Sequence, residues 1–285
     1  MTRNLSLFDD MVLDAPSTQG IKYAGSKLKL LPHILELVKQ TDAKTVLDGF
    51  SGSTRVSQSL AKMGYRVVSN DVAVWSEVFA TCFLLNRRPK EDYAKLISHL
   101  NAQEPKEIDR LALSPIENAV ALTSLILALD RVDSTLGHFV SYLKDWSPRS
   151  YNELHLEVPK LIANTMDHEV YRKDIFDLAD VDVDLAYLDP PYGSNNEKMP
   201  PSRVRYASYY HLWTTICLND KPELFGKAMR SKDTSDTVAT SVFEEFRRNS
   251  TTGRFFAVEA IEKLIRCIRA LDRFVLQFRR SGNGK

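Results

Sequence analysis

A short apolar run that ends in two prolines constrains the fold of this chain more than any other feature of its sequence. Residues Asp184–Leu188 predict one buried strand, and Asp189-Pro190-Pro191-Tyr192 follow it directly. Pro191 restricts Pro190 to an extended backbone and neither proline has an N–H group, so a rigid turn exposes carbonyl oxygens without competing donors. In an open sheet of parallel strands, such a turn lies at the edge where ligands bind.

This turn predicts a pocket that is rich in hydrogen-bond acceptors and has one aromatic wall. The Asp189 carboxylate and the Pro190 carbonyl could accept both hydrogens of an exocyclic amine, while the Tyr192 ring stacks on the planar base that carries it. We therefore take Asp189, Pro190, Pro191 and Tyr192 as the candidate catalytic residues. Taken alone, the tetrapeptide could equally be a plain turn after a strand, since Pro-Pro pairs often lie in loops.

A β-α-β unit is predicted nearer the start of the chain. Thr45–Asp48 form its first strand, a helix capped by Ser53 runs through residue 60 and ends at Gly64, and Arg66–Asp71 form the second strand. Each of the two strands ends in an acid, so two carboxylates are expected at the same edge of the sheet as Asp189.

The turn after the first strand, residues 48–53, has three possible ligands. A dinucleotide loop needs Gly-x-Gly-x-x-Gly and a nucleotide triphosphate loop needs Gly-x-x-x-x-Gly-Lys-Ser/Thr, and the sequence meets neither spacing. A methionine-derived cofactor has an ammonium, a carboxylate and a sulfonium but no phosphate, so an acid beside a turn of small residues suits it. Asp48 could face the ammonium, and Asp71 could accept from two ribose hydroxyls. Asp71 could also be an exposed turn acid after Asn70.

Four segments stand in an order that is typical of one enzyme family. They are Lys22–Lys27, Asp48–Ser53, Asn70-Asp71 and Asp189–Tyr192. In this order and spacing, the chain resembles the Dam-like (alpha-group) adenine-N6 DNA methyltransferases from about residue 21 to its end. The resemblance implies a Rossmann-like α/β sheet, S-adenosyl-L-methionine as the cofactor, double-stranded DNA as the partner and no metal. It also implies methyl transfer to a flipped-out adenine, as in restriction-modification systems.

The resemblance assigns the segment Lys22–Lys27 to the methionine end of the cofactor. Gly25 would permit a close approach, Lys27 would meet the cofactor carboxylate, and Tyr23 would pack against the cofactor. From the residues alone, the segment could instead be a loop leading into a helix over residues 27–39, with Ser26 as its N-cap.

Asp174 is the candidate acceptor for the adenine amine of the cofactor, although Asp177 lies nearby. The full set of cofactor-binding candidates is Lys22, Tyr23, Gly25, Lys27, Asp48, Phe50, Ser51, Gly52, Asp71, Asp174 and Asp189.

The rest of the pattern divides the chain into an arm, a catalytic domain and an insert. Residues 1–20 show no sustained period and are expected to form a flexible arm. The catalytic domain is predicted over 21–85 and 166–285, with its later strands at 169–171, 184–188 and 273–278 and a helix at 255–270. Residues 86–165, with helices near 91–100 and 116–129, are predicted to be an inserted, mainly helical target-recognition module. A long polar connection is expected from residue 193 to about 208.

DNA contacts are expected from the insert and from the connection after the catalytic turn. The candidates for base reading, wedge insertion or phosphate contact are Arg131, Ser134, Lys144, Trp146, Arg149, Tyr151, Arg203 and Arg205. Trp146 could alternatively anchor the core of the insert. Further basic clusters at 87–90 and 247–254 could contact phosphate or simply be solvated.

Composition excludes several classes of protein. The 285 residues are 44% hydrophobic with a net charge of +1, which is typical of a soluble α/β protein without a globally basic surface. No signal peptide or run of 18 apolar residues is present, so a cytoplasmic location without membrane insertion is expected. The three cysteines are widely spaced, which indicates neither zinc nor disulfides.

Rival chemistries fit less well. Cytosine C5 methylation needs a nucleophilic cysteine, typically after proline, and Cys82, Cys217 and Cys267 follow Thr, Ile and Arg. The zinc deaminase signature is absent too. Amine methylation of RNA or protein remains an alternative, although protein-amide enzymes of this type usually carry Asn where Asp189 stands. An inactive DNA- or cofactor-binding module is the alternative from outside the enzymes.

Two departures from the family pattern stand out. Thr54 occupies a position where the family usually has glycine, and it could narrow the cofactor loop. The chain also stops soon after the predicted fifth strand, so the sheet and part of the adenine pocket are expected to be incomplete at the C-terminus.

Overall fold

The computed structural model describes most of the chain between Asp14 and Val275. The described residues are 14–23, 25–103, 112–140, 143–162, 164–191, 206–227, 229–234, 241–245 and 247–275.

Five parallel strands form the central sheet. In chain order they are β1 (Thr45–Asp48), β2 (Arg66–Asn70), β3 (Glu169–Tyr171), β4 (Val183–Leu188) and a last strand, β7 (Ala270–Val275). Their order across the sheet is β3-β2-β1-β4-β7, so the chain runs outward from β1 to one edge and then crosses to the other side. The carboxyl ends of β1 and β4, where the order reverses, lie next to each other. This arrangement confirms the Rossmann-like α/β fold.

Eight α-helices, several short helices of other types and a small hairpin accompany the sheet in the described part of the chain. The helices are α1 (Leu31–Lys39), α2 (Arg55–Lys62), α3 (Val74–Ala80), α4 (Ala94–Ala102), α5 (Pro115–Val132), α6 (Tyr206–Tyr209), α7 (His211–Leu218) and α8 (Phe256–Cys267). The hairpin pairs β5 (Leu224–Phe225) with β6 (Arg230–Ser231) in antiparallel fashion.

Successive side chains of a strand point to opposite faces of the sheet, so the core consists of two layers. Val46 and Tyr187 belong to a hydrophobic cluster that also holds residues of α1, α2, α3 and α5. Leu47 and Ala186, which point to the opposite face, belong to a second cluster with residues of α8. Because both faces of β1 and β4 are covered, their sequences are almost wholly apolar until the acids at their tips.

The helices of the predicted insert pack onto the first of these clusters. Tyr93, just before α4, and Val120 and Ile126 of α5 are buried in it together with Phe79 of α3. Helix α5 begins with a capping box, in which Ser114 and Glu117 each bond the other's backbone amide. The described helices of residues 86–165 thus share a core with the sheet. The division into domains remains a prediction.

Several element boundaries differ from those expected. Helix α1 begins at Leu31 rather than residue 27, and Ser26 does not cap it, because Pro32 fits only in the first turn of a helix. Thr54, not Ser53, precedes α2. The last strand begins at Ala270, where a helix was expected to end.

Other elements were not anticipated. Helices α3 and α7 were missed, and α6 lies in the expected polar connection. No helix among the described residues has the length and apolar character to cross a membrane.

Asp184 fixes the register that brings the two acidic strand tips together. Its carboxylate accepts hydrogen bonds from the backbone amides of Lys44 and Thr45, both at 2.8 Å, at the start of β1. These two bonds hold the pKa of the Asp184 carboxyl below its ordinary value. They also tie the start of β1 to β4 before the ladder begins at Val46 and Leu185.

We expect Asp184→Ala to lower the free energy of unfolding by about 1–2 kcal/mol at pH 7, because two charge-assisted bonds are lost in a half-solvated place. The loss should shrink as the pH falls below about 4, because Asp184 is then protonated in the unfolded chain and, at still lower pH, in the folded protein as well. Urea unfolding at several pH values measures both effects. The neighbouring exposed Asp182→Ala variant is the control, and an equal loss there would show that Asp184 has no special role.

Candidate active site

A cavity of about 330 Å³ opens at the carboxyl edge of the sheet, where β1, β2 and β4 end. Its floor carries the acids at the three strand tips, Asp48, Asp71 and Asp189. Ten of the eleven predicted cofactor residues line it, namely Tyr23, Gly25, Lys27, Asp48, Phe50, Ser51, Gly52, Asp71, Asp174 and Asp189. Pro190 and Pro191 line it as well. The structure therefore brings ten of the predicted cofactor residues and three of the four catalytic candidates, Asp189, Pro190 and Pro191, to one place.

Asp48 is buried at the bottom of the cavity with one oxygen satisfied and one not. Its Oδ2 accepts from the Ser57 amide at 3.1 Å and from the Ser57 hydroxyl at 2.6 Å. Its Oδ1 has no hydrogen-bond partner among the described residues. Burial raises the pKa of Asp48 to about 7, the bonds from Ser57 oppose that rise, and the charges of Asp189 and Asp71 add to it. Such an oxygen is suited to a cationic donor.

Asp71 supports the loop between β1 and α2. Its Oδ2 accepts from the Gly52 amide at 2.8 Å and its Oδ1 from the Ala73 amide at 2.9 Å. Burial raises the pKa of Asp71, while the backbone bonds counteract the rise. Each oxygen keeps a second lone pair for a ligand. The alternative of an exposed turn acid is thus not what the structure shows.

The loop itself reverses direction through two left-handed residues, Gly52 (φ 49°) and Thr54 (φ 59°). A β-branched residue is uncommon in this conformation, which glycine adopts freely. The Thr54 hydroxyl accepts a bond from Gln58 Nε2 at 3.0 Å, and the side chain is fully buried. Thr54 does not line the cavity, so it occupies the place of the family's glycine without narrowing the site.

Asp189 forms an ion pair with Lys27, which was expected to meet the cofactor instead. The Lys27 ammonium bonds Asp189 Oδ2 and also donates to the Gly25 carbonyl at 2.8 Å. Asp189 Oδ1 is buried and has no partner in the described part of the chain. Burial raises the pKa of Asp189 and the Lys27 charge lowers it, so Lys27 favours the ionised, accepting form of the carboxylate.

An aromatic cluster forms the wall beside Lys27. The Tyr23 ring stacks on Tyr210 at 4.8 Å and on Tyr206 at 5.5 Å, and tilts against Trp75 at 5.6 Å between ring centroids. Gly25 has φ 92°, and a Cβ there would lie 2.8 Å from the Tyr206 hydroxyl. Glycine is therefore required at this point for the segment to pass the ring.

The opposite wall is also aromatic. Phe50 meets the ring of Phe243 edge-on at 5.4 Å, and Phe243 stacks on Phe176 at 5.8 Å. Asp174 lies at the rim, where its Oδ1 accepts from the Phe176 amide at 3.0 Å. Sequence reasoning missed Tyr206, Phe243 and Lys173, which also line the cavity. The four-residue spacing of Tyr206 and Tyr210 was a helical signal, whereas Phe243 follows no recognisable motif.

Lys22 is the predicted cofactor residue that does not line the cavity. Its ammonium instead forms ion pairs with Asp133 and, at 3.9 Å, with Asp130. Its backbone amide also donates to Asp130 at 3.1 Å. Lys22 thus faces the insert rather than the cofactor candidates.

Some of the insert residues predicted to contact DNA already bind other residues of the protein, and others are exposed to solvent. Arg131 donates to Glu157 and to the His155 carbonyl, Arg149 donates to Asp133, and Ser134 accepts from the Ser147 amide. Lys144, Trp146 and Tyr151 are exposed, with 74% of Trp146 and 78% of Tyr151 accessible. Trp146 is therefore not a core anchor. The other basic clusters contain paired arginines, among them Arg87 with Asp167, Arg88 with Glu117 and Arg254 with Glu262.

Three predicted residues, Tyr192, Arg203 and Arg205, lie outside the described residues, and their roles remain predictions. No group of three or more potential metal ligands occurs in the described part of the chain.

Comparison with known proteins identifies the class to which this fold and cavity belong. Residues 23–252 match the family of D12 class N6 adenine-specific DNA methyltransferases, and the chain belongs to that family. The match begins at Tyr23 in the cavity wall and includes the β1, β2 and β4 tips.

Curated relatives carry the names of modification enzymes. The chain is 28% identical to modification methylase StsI of Streptococcus sanguinis, over 72% of this chain and 37% of that protein. It is 28% identical to modification methylase LlaI of Lactococcus lactis subsp. lactis, over 74% of this chain and 40% of that protein. Type II methyltransferase M.NlaIII of Neisseria lactamica is 24% identical over 81% and 80% of the two chains. The chain spans about two fifths of the length of the first two relatives.

The buried carboxylates predict an unusual dependence of stability on pH. Because the folded-state pKa of Asp48 is about 7, above the value near 3.9 of an unfolded chain, this group favours folding at low pH. That contribution is lost as the pH rises through 7. Asp48→Asn keeps an acceptor for Ser57 but cannot ionise.

We compare the free energy of unfolding of Asp48→Asn with that of wild type. We expect the difference, variant minus wild type, to be at least about 1 kcal/mol larger at pH 8.5 than at pH 5.5, because ionisation of buried Asp48 destabilises only the wild type. Chemical denaturation without ligands at the two pH values measures the difference. Asp182→Asn, on an exposed acid, should show no such change. A pH-independent difference for Asp48→Asn would mean that this carboxylate is ionised throughout.

Proposed function

We propose that this chain is an S-adenosyl-L-methionine-dependent DNA methyltransferase that methylates the N6 amine of adenine. Within the family, we assign it to the Dam-like alpha group because the order of its segments, from Lys22–Lys27 to Asp189–Tyr192, follows that group. The names of its relatives support a role as the modification enzyme of a restriction-modification system. The observation that carries the proposal is the Asp189-Pro190 turn, which lies in one cavity with Asp48 and Asp71.

The donors and acceptors of the cavity suit S-adenosyl-L-methionine. Asp48 Oδ1 is buried, lacks a partner in the described structure and could accept from the ammonium of the cofactor. Asp189 Oδ1 also lacks a partner there, and it is the carboxylate oxygen left for the adenine amine. Asp71 retains lone pairs for the ribose hydroxyls, and Phe50 and Phe243 offer an apolar wall for a planar ring. A volume of about 330 Å³ lies within the range of small-molecule sites. The cofactor, when bound, supplies an electrophilic methyl group on its sulfonium.

The residues around Asp189 act by accepting hydrogen bonds and by orientation. The lone pair of the adenine amine is conjugated with the purine ring, so it must be drawn toward tetrahedral geometry before it can attack. The Asp189 carboxylate and the Pro190 carbonyl would accept the two amine hydrogens, and the stiff turn holds these acceptors in place. Lys27, bound to the other carboxylate oxygen, opposes the rise that burial causes in the pKa of Asp189 and fixes the direction of the carboxylate.

The exposed side chains of the insert supply candidate contacts to the duplex. A base must leave the stack to reach Asp189, since the turn cannot enter a duplex. Trp146 and Tyr151 are large, accessible aromatic rings that could fill or widen a base step, and Lys144 could contact phosphate. Arg131 and Arg149 would have to exchange their present carboxylate partners to contact DNA. We therefore expect them to contribute less to DNA binding than Lys144, Trp146 and Tyr151.

Incubation of the protein with DNA and isotopically labelled cofactor, followed by mapping of modified bases, tests this function. We expect N6-methyladenine at one sequence, and Asp189→Ala should abolish labelling while leaving cofactor affinity within a few-fold. Label on cytosine, RNA or protein would reject the proposed substrate. Cofactor binding without any transfer by the wild type would favour an inactive binding module.

Asp71 should matter for binding rather than for the chemical step. We expect Asp71→Ala to weaken the cofactor by roughly 1.5 to 3 kcal/mol, because a charged acceptor is lost together with the bond to Gly52. Asp174→Ala should weaken it less, and Asp177→Ala, on an exposed acid outside the cavity, should not. Calorimetric titration of the three variants decides the matter. If the Asp71→Ala variant bound the cofactor as tightly as the wild type does, Asp71 would not be the acceptor for the ribose hydroxyls.

A further inference from the structure

The two ends of the segment 133–151, which the structure describes at 133–140 and 143–151, are bonded to each other, and we call this segment the 133–151 loop. Arg149 Nε donates to the Asp133 carbonyl at 2.6 Å, and Arg149 Nη2 donates to Asp133 Oδ1 at 3.0 Å and to the Thr135 carbonyl at 2.8 Å. The Ser147 amide donates to the Ser134 hydroxyl at 2.8 Å, and the Ser147 hydroxyl donates to the Asp133 carbonyl at 3.2 Å. Both ends of the loop therefore meet at Asp133.

The same loop presents two aromatic side chains, Trp146 and Tyr151, to solvent, whereas its Phe139 packs against the core. Trp146 precedes Ser147 directly, so this exposed ring is one residue from a bond to the base of the loop. Tyr151 lies two residues beyond Arg149 and is also exposed. A duplex that contacts these rings would therefore lie close to Ser147 and Arg149 at the base of the loop.

On its other side, Asp133 holds the segment that leads into the cavity. The Lys22 ammonium and the Arg149 guanidinium share Asp133 Oδ1, and the Thr135 hydroxyl donates to Oδ2. The side chain of Asp133 is only 9% exposed, whereas that of Lys22 is 37% exposed. Charges around a carboxylate buried to this degree interact more strongly than an exposed surface pair.

From Lys22 the covalent chain enters the cavity wall at once. Tyr23, the next residue, stacks on Tyr206 and Tyr210, and Lys27 pairs with Asp189. Lys22 is therefore five residues away in sequence from Lys27, which pairs with the acceptor proposed for the adenine amine. No other described residue links the 133–151 loop to this segment by an ion pair.

We propose that Asp133 is a positioning residue that couples DNA engagement at the 133–151 loop to the cofactor cavity through Lys22. DNA that fixes the loop fixes Asp133, which fixes the Lys22–Lys27 segment and lowers the entropic cost of ordering that wall around the cofactor. By thermodynamic reciprocity, bound cofactor raises DNA affinity by the same factor. This inference rests on the proposed function, since it needs both ligands.

The coupling is measured with S-adenosylhomocysteine, the demethylated product, which binds without turnover. Its affinity is titrated calorimetrically with and without a duplex that carries the mapped site. We expect DNA to tighten wild-type binding at least about fivefold. Lys22→Met should reduce this factor below about twofold while each ligand alone binds within a few-fold of wild type. Asp133→Asn should reduce the coupling and also weaken DNA, because it opens the loop base.

Two controls separate coupling from folding. Lys22→Arg keeps the charge and should restore the wild-type factor. Lys39→Met removes a lysine of the exposed Lys39–Glu36 pair on α1 and should leave the factor unchanged. If thermal unfolding shows that Lys22→Met is not folded, Lys22→Gln takes its place.

The outcomes also separate this inference from the function on which it rests. Failure of the wild type to bind either ligand would reject the proposed function, and this inference with it. Binding of both ligands without coupling in the wild type, or with wild-type coupling in Lys22→Met, would overturn the role of Asp133 alone.

Discussion

Three carboxylates buried at neighbouring strand tips are the constraint on which the rest of the site depends. A buried carboxylate loses its hydration, so burial raises the pKa of each of these three acids. The negative charges of Asp71 and Asp189 raise the pKa of Asp48 further. The surrounding structure offsets that cost in three ways. Ser57 donates twice to Asp48, two backbone amides donate to Asp71, and Lys27 pairs with Asp189.

The offset is incomplete in a way that is informative about ligands. One oxygen of Asp48 and one of Asp189 remain without donors in the described structure, although both are buried. Buried polar atoms in proteins usually have hydrogen-bond partners, so these two oxygens indicate that a ligand supplies the missing donors. The ammonium of one ligand would satisfy Asp48, and the exocyclic amine of a second ligand would satisfy Asp189. Phe50 and Tyr23, which both line the cavity, offer aromatic surface to planar rings.

Local patterns predicted most of the sheet and of the cavity floor. The strands β1 and β4 are apolar and end in acids, so their sequence specifies both burial and the position of Asp48 and Asp189. The αL turn at Thr54, the cavity role of Phe243 and the pairing of Lys27 with Asp189 could not be inferred. Each depends on residues distant in sequence, and a charged side chain in a loop has many possible partners until the fold selects one.

Lys22 shows how that selection can change an assignment. A lysine next to Tyr23 in a cofactor-covering segment is reasonably assigned to the cofactor carboxylate, yet the end of α5 places Asp130 and Asp133 beside it. Lys22 pairs with these two acids, and a ligand would have to draw it away from Asp133, whose side chain is only 9% exposed. Arg149, another residue of the insert, binds the same oxygen of Asp133, so the carboxylate that holds Lys22 is also bound within the insert. Lys22 is therefore positioned by the part of the chain proposed to read DNA, and it precedes the part proposed to hold the cofactor.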